Sequence, residues 1–317
     1  MTMYEQLSQL DAIPINFSAA GQHAINIVLA FVMFGVALGI KPSEFKNVFL
    51  RPKSAIVGLF SQLVGLPLVT FLLILVLRNH ITPMVAMGMI LVAACPGGNI
   101  SNFMTQFAKG NTELSVSLTA VTTSLAVLLT PANFALWGGL YVNYVNPEAS
   151  MALRELHINV WQMFETVFIL LGIPLTLGIL TSHYLPKVAE KLHKKMQLFS
   201  LAFFVLMVLL AFGSNLELFI KYIWYIFFIV LVHNLLALST GFSLGSLFRL
   251  PKNDIKTITI ETGIQNSGLG LVLLFNDKIF PPELAIGGML FVTAWWGVWH
   301  IISGLTVASL FRKFSKK

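Results

Sequence analysis

Residues 258–270 read I-T-I-E-T-G-I-Q-N-S-G-L-G and place polar groups inside a hydrophobic run that is otherwise typical of a membrane span. The polar or flexible residues of this stretch include Glu261, Thr262, Gly263, Gln265, Asn266, Ser267, Gly268 and Gly270. A charged side chain at bilayer depth costs about 2.5–3.5 kcal/mol on insertion scales, and lipid offers no hydrogen-bond partner to unwound backbone. The stretch therefore predicts a binding site that faces protein or water, with a polar plug between helices as the structural alternative.

The composition of the whole chain supports a membrane protein. Hydrophobic residues make up 56% of the 317 residues, charged residues make up 10%, and the mean hydropathy is +0.82. Soluble domains contain about 25% charged residues, so we expect an all-α polytopic membrane protein. The single cysteine, Cys95, excludes an intrachain disulfide and argues against a metal cluster.

Apolar segments of about 20 residues are long enough to cross a bilayer as helices. The sequence predicts nine such spans, at about 22–40, 54–77, 83–107, 111–137, 158–182, 196–214, 219–248, 256–276 and 283–311. Residues 1–21 contain no Lys or Arg and no compact apolar core, so we interpret them as a short tail with an interfacial turn near Pro14.

The positive charges are distributed unevenly between the two sides of these spans. Of the 20 Lys and Arg residues, one side holds all except Arg78, Arg154, Lys221 and Lys278. Positive charge is retained in the cytoplasm, so the bias predicts an inner-membrane protein with its N-terminus outside and its C-terminus in the cytoplasm. The net charge of +7 then reflects topology, and we expect no nucleic-acid partner and no obligatory protein partner. No soluble domain fits between the spans, since the longest outside loop is about 138–157.

Two of the spans are interrupted by helix-breaking residues. The third contains A-A-C-P-G-G-N-I-S-N-F at 93–103, where proline and paired glycines stop a helix and Asn99, Ser101 and Asn102 are suited to cap a new one. The eighth breaks at Thr262-Gly263. One interrupted span in each half of a chain is typical of secondary transporters with inverted repeats, whose half-helices present N-termini to anions and free carbonyls to cations. Further breaks are expected at Pro67, Pro131 and Pro174.

The fourth span carries a stripe of hydroxyl groups. Ser115 and Thr119 are four residues apart, and Thr122 and Thr123 continue the same helical face. Such stripes help membrane helices to pack, but together with Glu261 they also supply the oxygen ligands that hard cations such as sodium prefer. Gln62, in the second span, adds an intramembrane amide.

These motifs resemble the bile acid:sodium symporter family. The resemblance rests on C-P-G-G-N-I-S-N-F-M at 95–104, A-K-G-N-T-E-L-S-V-S-L-T-A-V-T-T at 108–123 and E-T-G-I-Q-N-S-G-L at 261–269, with M-F-G-V-A-L-G-I at 33–40, V-H-N at 232–234 and V-W-H-I-I-S-G at 298–304. It implies two inverted five-helix repeats, with the first helix absent here, and two crossed discontinuous helices. It also implies one transporter domain over 1–317, with a panel at about 22–40 and 158–214 and a core at about 54–137 and 219–313.

The same resemblance implies particular site residues. One sodium site would comprise Ser101, Asn102, Ser115, Thr119 and Glu261. A second would comprise Gln62, Glu261 and Gln265 with backbone carbonyls of Thr262 and Ile264. The organic anion is expected near Asn99, Asn266 and His300. Ile301 and Asn99 depart from residues common in relatives, which leaves the substrate's identity open.

The sequence thus predicts a sodium-coupled symporter, not an enzyme, that imports an organic anion by alternating access. The substrate is bile acid-like or a small carboxylate, such as a 2-oxo acid or pantoate, and we favour the small carboxylate. Two sodium ions beside Glu261 leave one net positive charge, which one monocarboxylate neutralises. A proton-coupled carrier or sodium/proton antiporter is the alternative, and an intramembrane hydrolase using Ser101 or Ser115 with His300 is a remote one.

Overall fold

The computed structural model describes residues 2–11, 19–41, 43, 52–145, 160–213, 216–276, 279–280 and 284–314. Helices account for most of these residues, and no strand is found among them. In chain order they are α1 (Met3–Asp11), α2 (Ala19–Ala37), α3 (Pro52–Leu77), α4 (Pro83–Ala94), α5 (Ile100–Phe107), α6 (Thr112–Val145), α7 (160–184), α8 (Pro186–Gly213), α9 (Leu216–Leu247), α10 (Lys252–Gly263), α11 (Ser267–Leu274) and α12 (Gly287–Phe314).

Several helices are long and apolar enough to cross a membrane. Among the described residues these are α3, α6, α12 and the part of α9 from Ile220 to Leu247. Shorter apolar helices occur at Pro83–Ala94 and Phe168–Tyr184. The chain is therefore an all-helical membrane protein, as its composition predicts, while the number of nine spans stays a prediction. The turn near Pro14 and residues 146–157 of the expected outside loop lie outside the described residues.

Three of the expected helix breaks do not occur. The helix continues through Pro67 and Pro174, because a π turn precedes each proline, at Ser61–Gly65 and Phe168–Gly172. A widened turn relieves the clash between a proline ring and the carbonyl four residues before it. α6 likewise continues through Pro131. These three predictions were wrong because a proline interrupts a membrane helix only where no local adjustment satisfies the backbone.

A side chain also supports the continuous path of α3. Pro67 has no N–H to donate to the Leu63 carbonyl, and the Asn133 amide of α6 donates to that carbonyl instead, at 3.2 Å. The contact links α6 to α3 at the π turn that contains Gln62. The irregular turn and its buried amide are therefore held in place from a neighbouring helix.

The other two breaks are present, and they meet. α4 ends at Ala94 before α5 begins, and α10 ends at Gly263 before α11 begins. The Gly98 N–H donates to the Ile264 carbonyl at 2.8 Å, and the Asn266 N–H donates to the Pro96 carbonyl at 2.8 Å. Gly97 and Gln265 form an antiparallel bridge between them. Each break thus supplies hydrogen bonds to the unwound backbone of the other, which lipid could not do.

The remaining helices surround this crossing. α9 packs along α10, α12 packs along α4, and α2 packs against α7 and α8. A Cβ atom on Gly241 of α9 would lie 2.6 Å from the Ile258 carbonyl of α10, so glycine is what lets these two helices approach so closely. α10, which carries Glu261, is therefore held firmly from one side.

The N-terminal tail forms a helix that the sequence did not predict. α1 packs against α12 and α9, and the Tyr222 hydroxyl donates to the Gln9 side chain. At its end, the Asp11 carboxylate accepts a hydrogen bond from the Thr82 hydroxyl at 2.9 Å, just before α4 begins. Burial raises the pKa of Asp11 from its ordinary value of 3.8 to about 7.

Candidate ion and anion site

Hydroxyl groups surround one side of the Glu261 carboxylate, in the last turn of α10. The side chain is fully buried. Its Oε1 accepts hydrogen bonds from the Ser101 hydroxyl of α5, at 2.5 Å, and from the Ser115 hydroxyl of α6. Its Oε2 accepts from the Thr119 hydroxyl of α6 at 3.0 Å. Hydrogen bonds to an ionised carboxylate are among the strongest in proteins, so this side of Glu261 is well stabilised by its neighbours.

Asn102 completes this group. Its Oδ1 lies 2.9 Å from the Ser115 hydroxyl and 3.4 Å from the Thr119 hydroxyl. The structure therefore brings together all five residues expected at the first sodium site. The prediction that Asn99, Ser101 and Asn102 cap α5 was wrong in its detail: Asn99 occupies the N-cap position without a side-chain bond, while the other two side chains turn toward Glu261 and the hydroxyls of α6.

Amides lie on the other side of Glu261. A Cβ atom on Gly97 would lie 3.0 Å from Gln62 Oε1 and 3.2 Å from Glu261 Oε2, so both side chains converge on this glycine. Gln265 donates through Nε2 to the Thr262 carbonyl at 2.9 Å. The Gln62 amide atoms and Gln265 Oε1 are buried and make no hydrogen bond of ordinary geometry with any described residue. Buried polar atoms are rarely left unpaired without a reason.

The donor set of the amide side fits a hard cation. Sodium, like other hard cations, takes amide, carboxylate and carbonyl oxygens. The Thr262 and Ile264 carbonyls each accept one hydrogen bond, from Gln265 and Gly98, and a carbonyl oxygen retains a second lone pair. All five residues expected at the second sodium site thus lie around the crossing, and the unpaired amide oxygens of two of them are available to an ion.

Two contributors to this region were not predicted. The Thr105 hydroxyl lies 3.3 Å from that of Ser115, and Thr105 follows Ser101 by four residues on α5, a spacing that could have revealed it. Gly97 is the other, because its lack of a side chain leaves room for Gln62 and Glu261. The paired glycines at 97–98 signalled only a helix break in the sequence.

A cavity opens beside the crossing, between it and helices α2 and α8. It encloses about 960 Å³, its open mouth included. Asn99, Asn266 and His300, the three expected substrate residues, all line it, as do Gln265 and Ser267. The rest of the lining is mainly apolar and includes Val32, Met33, Val36, Phe203, Leu271, Val272 and Ile301. No Asp, Glu, Lys or Arg is among the described residues of the lining.

The polar residues of the cavity differ in whether their hydrogen bonds are already made. Asn266 caps α11 by accepting from the Leu269 N–H at 3.0 Å. Asn99 makes no such bond at the start of α5. His300 is 6% exposed, and its Nδ1 has no hydrogen-bond partner among the described residues. The N-terminus of α5 and the His300 ring are therefore the polar features best able to receive a ligand.

Other hydroxyl and imidazole groups have structural partners. Thr122 donates to the Leu118 carbonyl of its own helix, at 2.9 Å, and so does not contribute to the hydroxyl side of Glu261. His233 lies 2.7 Å from the Thr70 hydroxyl, and the Asn234 amide donates to the Gly263 carbonyl at 2.7 Å. Both contacts join helices.

A hydrolytic centre is not assembled. Ser101 and Ser115 both donate to Glu261, whereas His300 lines the cavity and forms no hydrogen bond with either serine. An activated serine needs a base that can accept its proton and a third group that orients the base. The described residues around the crossing offer no such arrangement.

Comparison with known proteins agrees with the geometry. Residues 26–222 match the model of the sodium bile acid symporter family. The chain is 32% identical to an uncharacterized sodium-dependent transporter, YocS, of Bacillus subtilis over 92% of this chain and 84% of that protein. It is 27% identical to the human ileal sodium/bile acid cotransporter over 82% of this chain and 70% of that protein.

Human sodium/bile acid cotransporter 4 is 28% identical over 84% of this chain, which spans only 59% of that longer protein. The crossing of two broken helices, the buried carboxylate between them and the family match agree with one another. The expectation that the protein is a transporter and not an enzyme is confirmed. The chain belongs to the sodium bile acid symporter family.

Proposed function

We propose that the protein is a symporter in which two sodium ions beside Glu261 drive the import of an organic anion. One ion is held by Ser101, Asn102, Ser115, Thr119 and Glu261, and the other by Gln62, Glu261, Gln265 and the carbonyls of Thr262 and Ile264. The observation that carries the proposal is the position of Glu261 between a group of hydroxyls and a group of unpaired amides, at the crossing of two broken helices.

The charge of the site supports coupling between the ions and an anion. The cavity has no Lys or Arg among its described lining residues, so a carboxylate substrate finds no fixed positive charge there. Two sodium ions and the Glu261 carboxylate carry one net positive charge, which one monocarboxylate neutralises. A neutral assembly avoids the desolvation penalty of several kcal/mol that an unpaired ion meets in a low-dielectric core.

The polar features of the cavity support one orientation of the substrate. The N-terminus of α5 lacks a side-chain cap and His300 Nδ1 is unpaired, so the carboxylate docks between them. Asn266, which already caps α11, uses its remaining amide donors toward hydroxyl or keto oxygens of the substrate. The apolar wall then covers the rest of a small carboxylate, such as a 2-oxo acid or a pantoate-like hydroxy acid.

The arrangement of helices supports alternating access. α2, α7 and α8 pack against one another, and α2 and α8 form one wall of the cavity while the crossing forms the other. In the proposed cycle, these two groups, the panel and the core, move relative to each other and expose the site to each side in turn. The protein lies in the inner membrane with its C-terminus in the cytoplasm, in line with the positive charges near residues 187–195 and 312–317.

Uptake into proteoliposomes tests the proposal. The measurement is counterflow of radiolabelled small carboxylates and of bile acids, with sodium or with choline, together with thermal unfolding in the two salts. We expect sodium to be required for uptake and to raise the melting temperature. Glu261→Gln should lose both effects. Glu113→Gln, the same change at an exposed acid, should retain them and serves as the control.

Two results would overturn the proposal. Sodium-dependent uptake by Glu261→Gln, equal to that of the wild type, would remove Glu261 from the ion site. Uptake driven by a pH gradient in sodium-free buffer would favour the proton-coupled alternative.

A further inference from the structure

A second buried acid lies at the opposite end of α10 from the ion site. Asp254, in the first turn of that helix, is fully buried. Its Oδ2 accepts a hydrogen bond from the Ser54 hydroxyl of α3 at 2.6 Å, and its Oδ1 accepts from the Asn111 amide at 2.8 Å. Asn111 is the N-cap of α6, where its own Oδ1 accepts from the Leu114 N–H at 3.1 Å. One carboxylate therefore joins the starts of three helices.

The same three helices carry four of the side-chain ligands of the proposed sodium sites, namely Gln62, Ser115, Thr119 and Glu261. Ser54 precedes Gln62 by eight residues on α3, Asn111 precedes Thr119 by eight residues across α6, and Asp254 precedes Glu261 by seven on α10. Seven or eight helical residues are about two turns, or about 11 Å along the axis. One ligand from each helix, Gln62, Thr119 or Glu261, thus lies about two turns from the Asp254 contact, and Ser115 lies about one turn from it.

The loop before α6 is also fixed against α10. Lys109 adopts φ 56°, the left-handed conformation that ends a helix, and the Gly110 N–H donates to the Thr105 carbonyl at 2.9 Å. The Asn111 N–H donates to the Thr257 hydroxyl of α10 at 2.8 Å. A Cβ atom on Gly110 would lie 2.9 Å from that hydroxyl. The loop therefore has little freedom to shift along α10, and Asn111 is presented to Asp254 in a defined position.

We propose that Asp254 is a positioning residue for sodium binding, because its hydrogen bonds set the relative height of α3, α6 and α10. The proposal rests on the proposed function, since it concerns the affinity of those same ion sites. Asp254 does not touch the ions. It acts through the helices, whose ligands need to be held within about 0.5 Å of their working positions. Loss of its contacts lets the three ligand groups slide apart.

The charge of Asp254 suggests a different role, and one substitution separates the two. At about 11 Å from Glu261, its negative charge could attract sodium directly, with Lys252 and Lys256 on the same helix opposing that attraction. Asp254→Asn removes the charge but preserves the shape, because an asparagine amide can donate to Ser54 while its oxygen accepts from Asn111. Asp254→Ala removes both the charge and the hydrogen bonds.

Sodium titrations of the full-length protein test the proposal, with binding followed by thermal shift and by uptake. We expect Asp254→Ala to raise the sodium concentration for half-saturation by tenfold or more, and Ser54→Ala by about threefold to fivefold, in both assays. Asp254→Asn should stay within about threefold of the wild type. The KM for the anion at saturating sodium should change less than twofold in every variant. Thr70→Val serves as the control, because it removes a buried 2.7 Å contact between α3 and α9 that is remote from this network.

The outcomes separate positioning from other roles. If Asp254→Asn weakens sodium binding as much as Asp254→Ala does, the charge and not the hydrogen bonds is what matters, and the proposal fails. If Asp254→Ala and Ser54→Ala lower the melting temperature as Thr70→Val does, without changing the sodium midpoint, the network is merely structural. Ser54→Ala, which retains Asp254, keeps the test decisive if Asp254→Ala does not fold. A wild-type protein without a sodium response would instead refute the proposed function.

Discussion

The two sides of Glu261 are built in opposite ways. On the hydroxyl side, Ser101, Ser115 and Thr119 all donate hydrogen bonds to the carboxylate. On the amide side, Gln62 lies with Glu261 against Gly97 and Gln265 donates to the Thr262 carbonyl, but both amides keep buried oxygens that no described residue pairs. The hydroxyl side is therefore satisfied within the protein, whereas the amide side is not.

This difference shows that residues of one site can have opposite effects on stability. Removing one partner of a buried hydrogen bond leaves the other partner unsatisfied, which costs free energy, while removing an atom that was already unsatisfied relieves a cost. The hydroxyl ligands should thus stabilise the protein in sodium-free buffer, and the amide ligands should destabilise it there. Sodium dependence should be weakened on either side.

The largest effect is expected for Ser101→Ala. This change removes the 2.5 Å hydrogen bond to Glu261 Oε1, and bonds to charged groups contribute about 1.5–3 kcal/mol. Denaturant titration in sodium-free detergent should therefore show a free energy of unfolding lower by about that amount. Ser117→Ala is the control, since that buried hydroxyl donates only to the Glu113 carbonyl of its own helix. An equal loss of unfolding free energy in the two variants would show that the hydrogen bond to Glu261 stabilises the protein no more than a hydroxyl bond within one helix.

Gln62→Leu is expected to raise the stability of the sodium-free protein instead of lowering it. The substitution removes two buried polar atoms that no described residue satisfies, so the sodium-free protein should gain about 1 kcal/mol of stability. The sodium-induced rise in melting temperature should fall to less than half of the wild-type value. Asn133→Leu is a matched change at an amide that does have a partner, the Leu63 carbonyl, and it should be destabilising. If Gln62→Leu were less stable than the wild type and still fully responsive to sodium, the proposed difference between the two sides of Glu261 would be refuted.

The sequence predicted the position of Glu261 beside two helix breaks because the relevant signals are local. Polar residues in apolar spans, and glycine or proline within them, are costly unless they serve a site. That cost made the breaks at 96–98 and 263 predictable, and both are confirmed. The prolines at 67, 131 and 174 gave the same local signal without a break, because the adjustments at the π turns and at Asn133 depend on neighbouring residues.

Asp254 was not predicted, because the contacts that make it important are not local in sequence. It follows Pro251 and Lys252 in a polar segment that is typical of a solvated loop, so its sequence context gave no sign of burial. Its partners Ser54 and Asn111 are distant in sequence, and only the packing of α3, α6 and α10 brings them together. α1 was missed similarly, since its amphipathic turns are stabilised by contacts with α9 and α12 rather than by its own sequence.

A smaller effect on stability is expected at Thr119. It can be compared directly with Thr123, which lies one turn further along α6. Thr119 donates to Glu261 at 3.0 Å, whereas the Thr123 hydroxyl, one turn further on, is buried without a partner among the described residues. Thr119→Val should therefore cost about 1 kcal/mol and Thr123→Val should cost nothing or stabilise the protein. Only Thr119→Val should also weaken sodium binding in a thermal-shift titration. Similar losses in both variants would mean that hydroxyl packing, not contact with Glu261, matters on this face.

The smallest effect on stability is expected at a partly buried acid with fewer donors than Glu261. Among the described residues Asp11 accepts hydrogen bonds from the Thr82 hydroxyl and the Met84 N–H, and burial raises its pKa from 3.8 to about 7. The docked α1 therefore binds more protons than the released helix between these two values, so docking weakens as the pH rises from about 4 to about 7 and levels off above it. Asn at this position keeps an oxygen acceptor and has no charge to bury.

Hydrogen exchange of the α1 amides, measured for both proteins between about pH 4.5 and pH 8, checks this expectation. Protection should fall with pH in the wild type relative to Asp11→Asn, and the paired comparison removes the intrinsic pH dependence of exchange. Because α1 is a short terminal helix, its release need not unfold the core, so the melting temperature should change little. Identical pH dependence in the two proteins would show that protonation of Asp11 does not control the docking of α1.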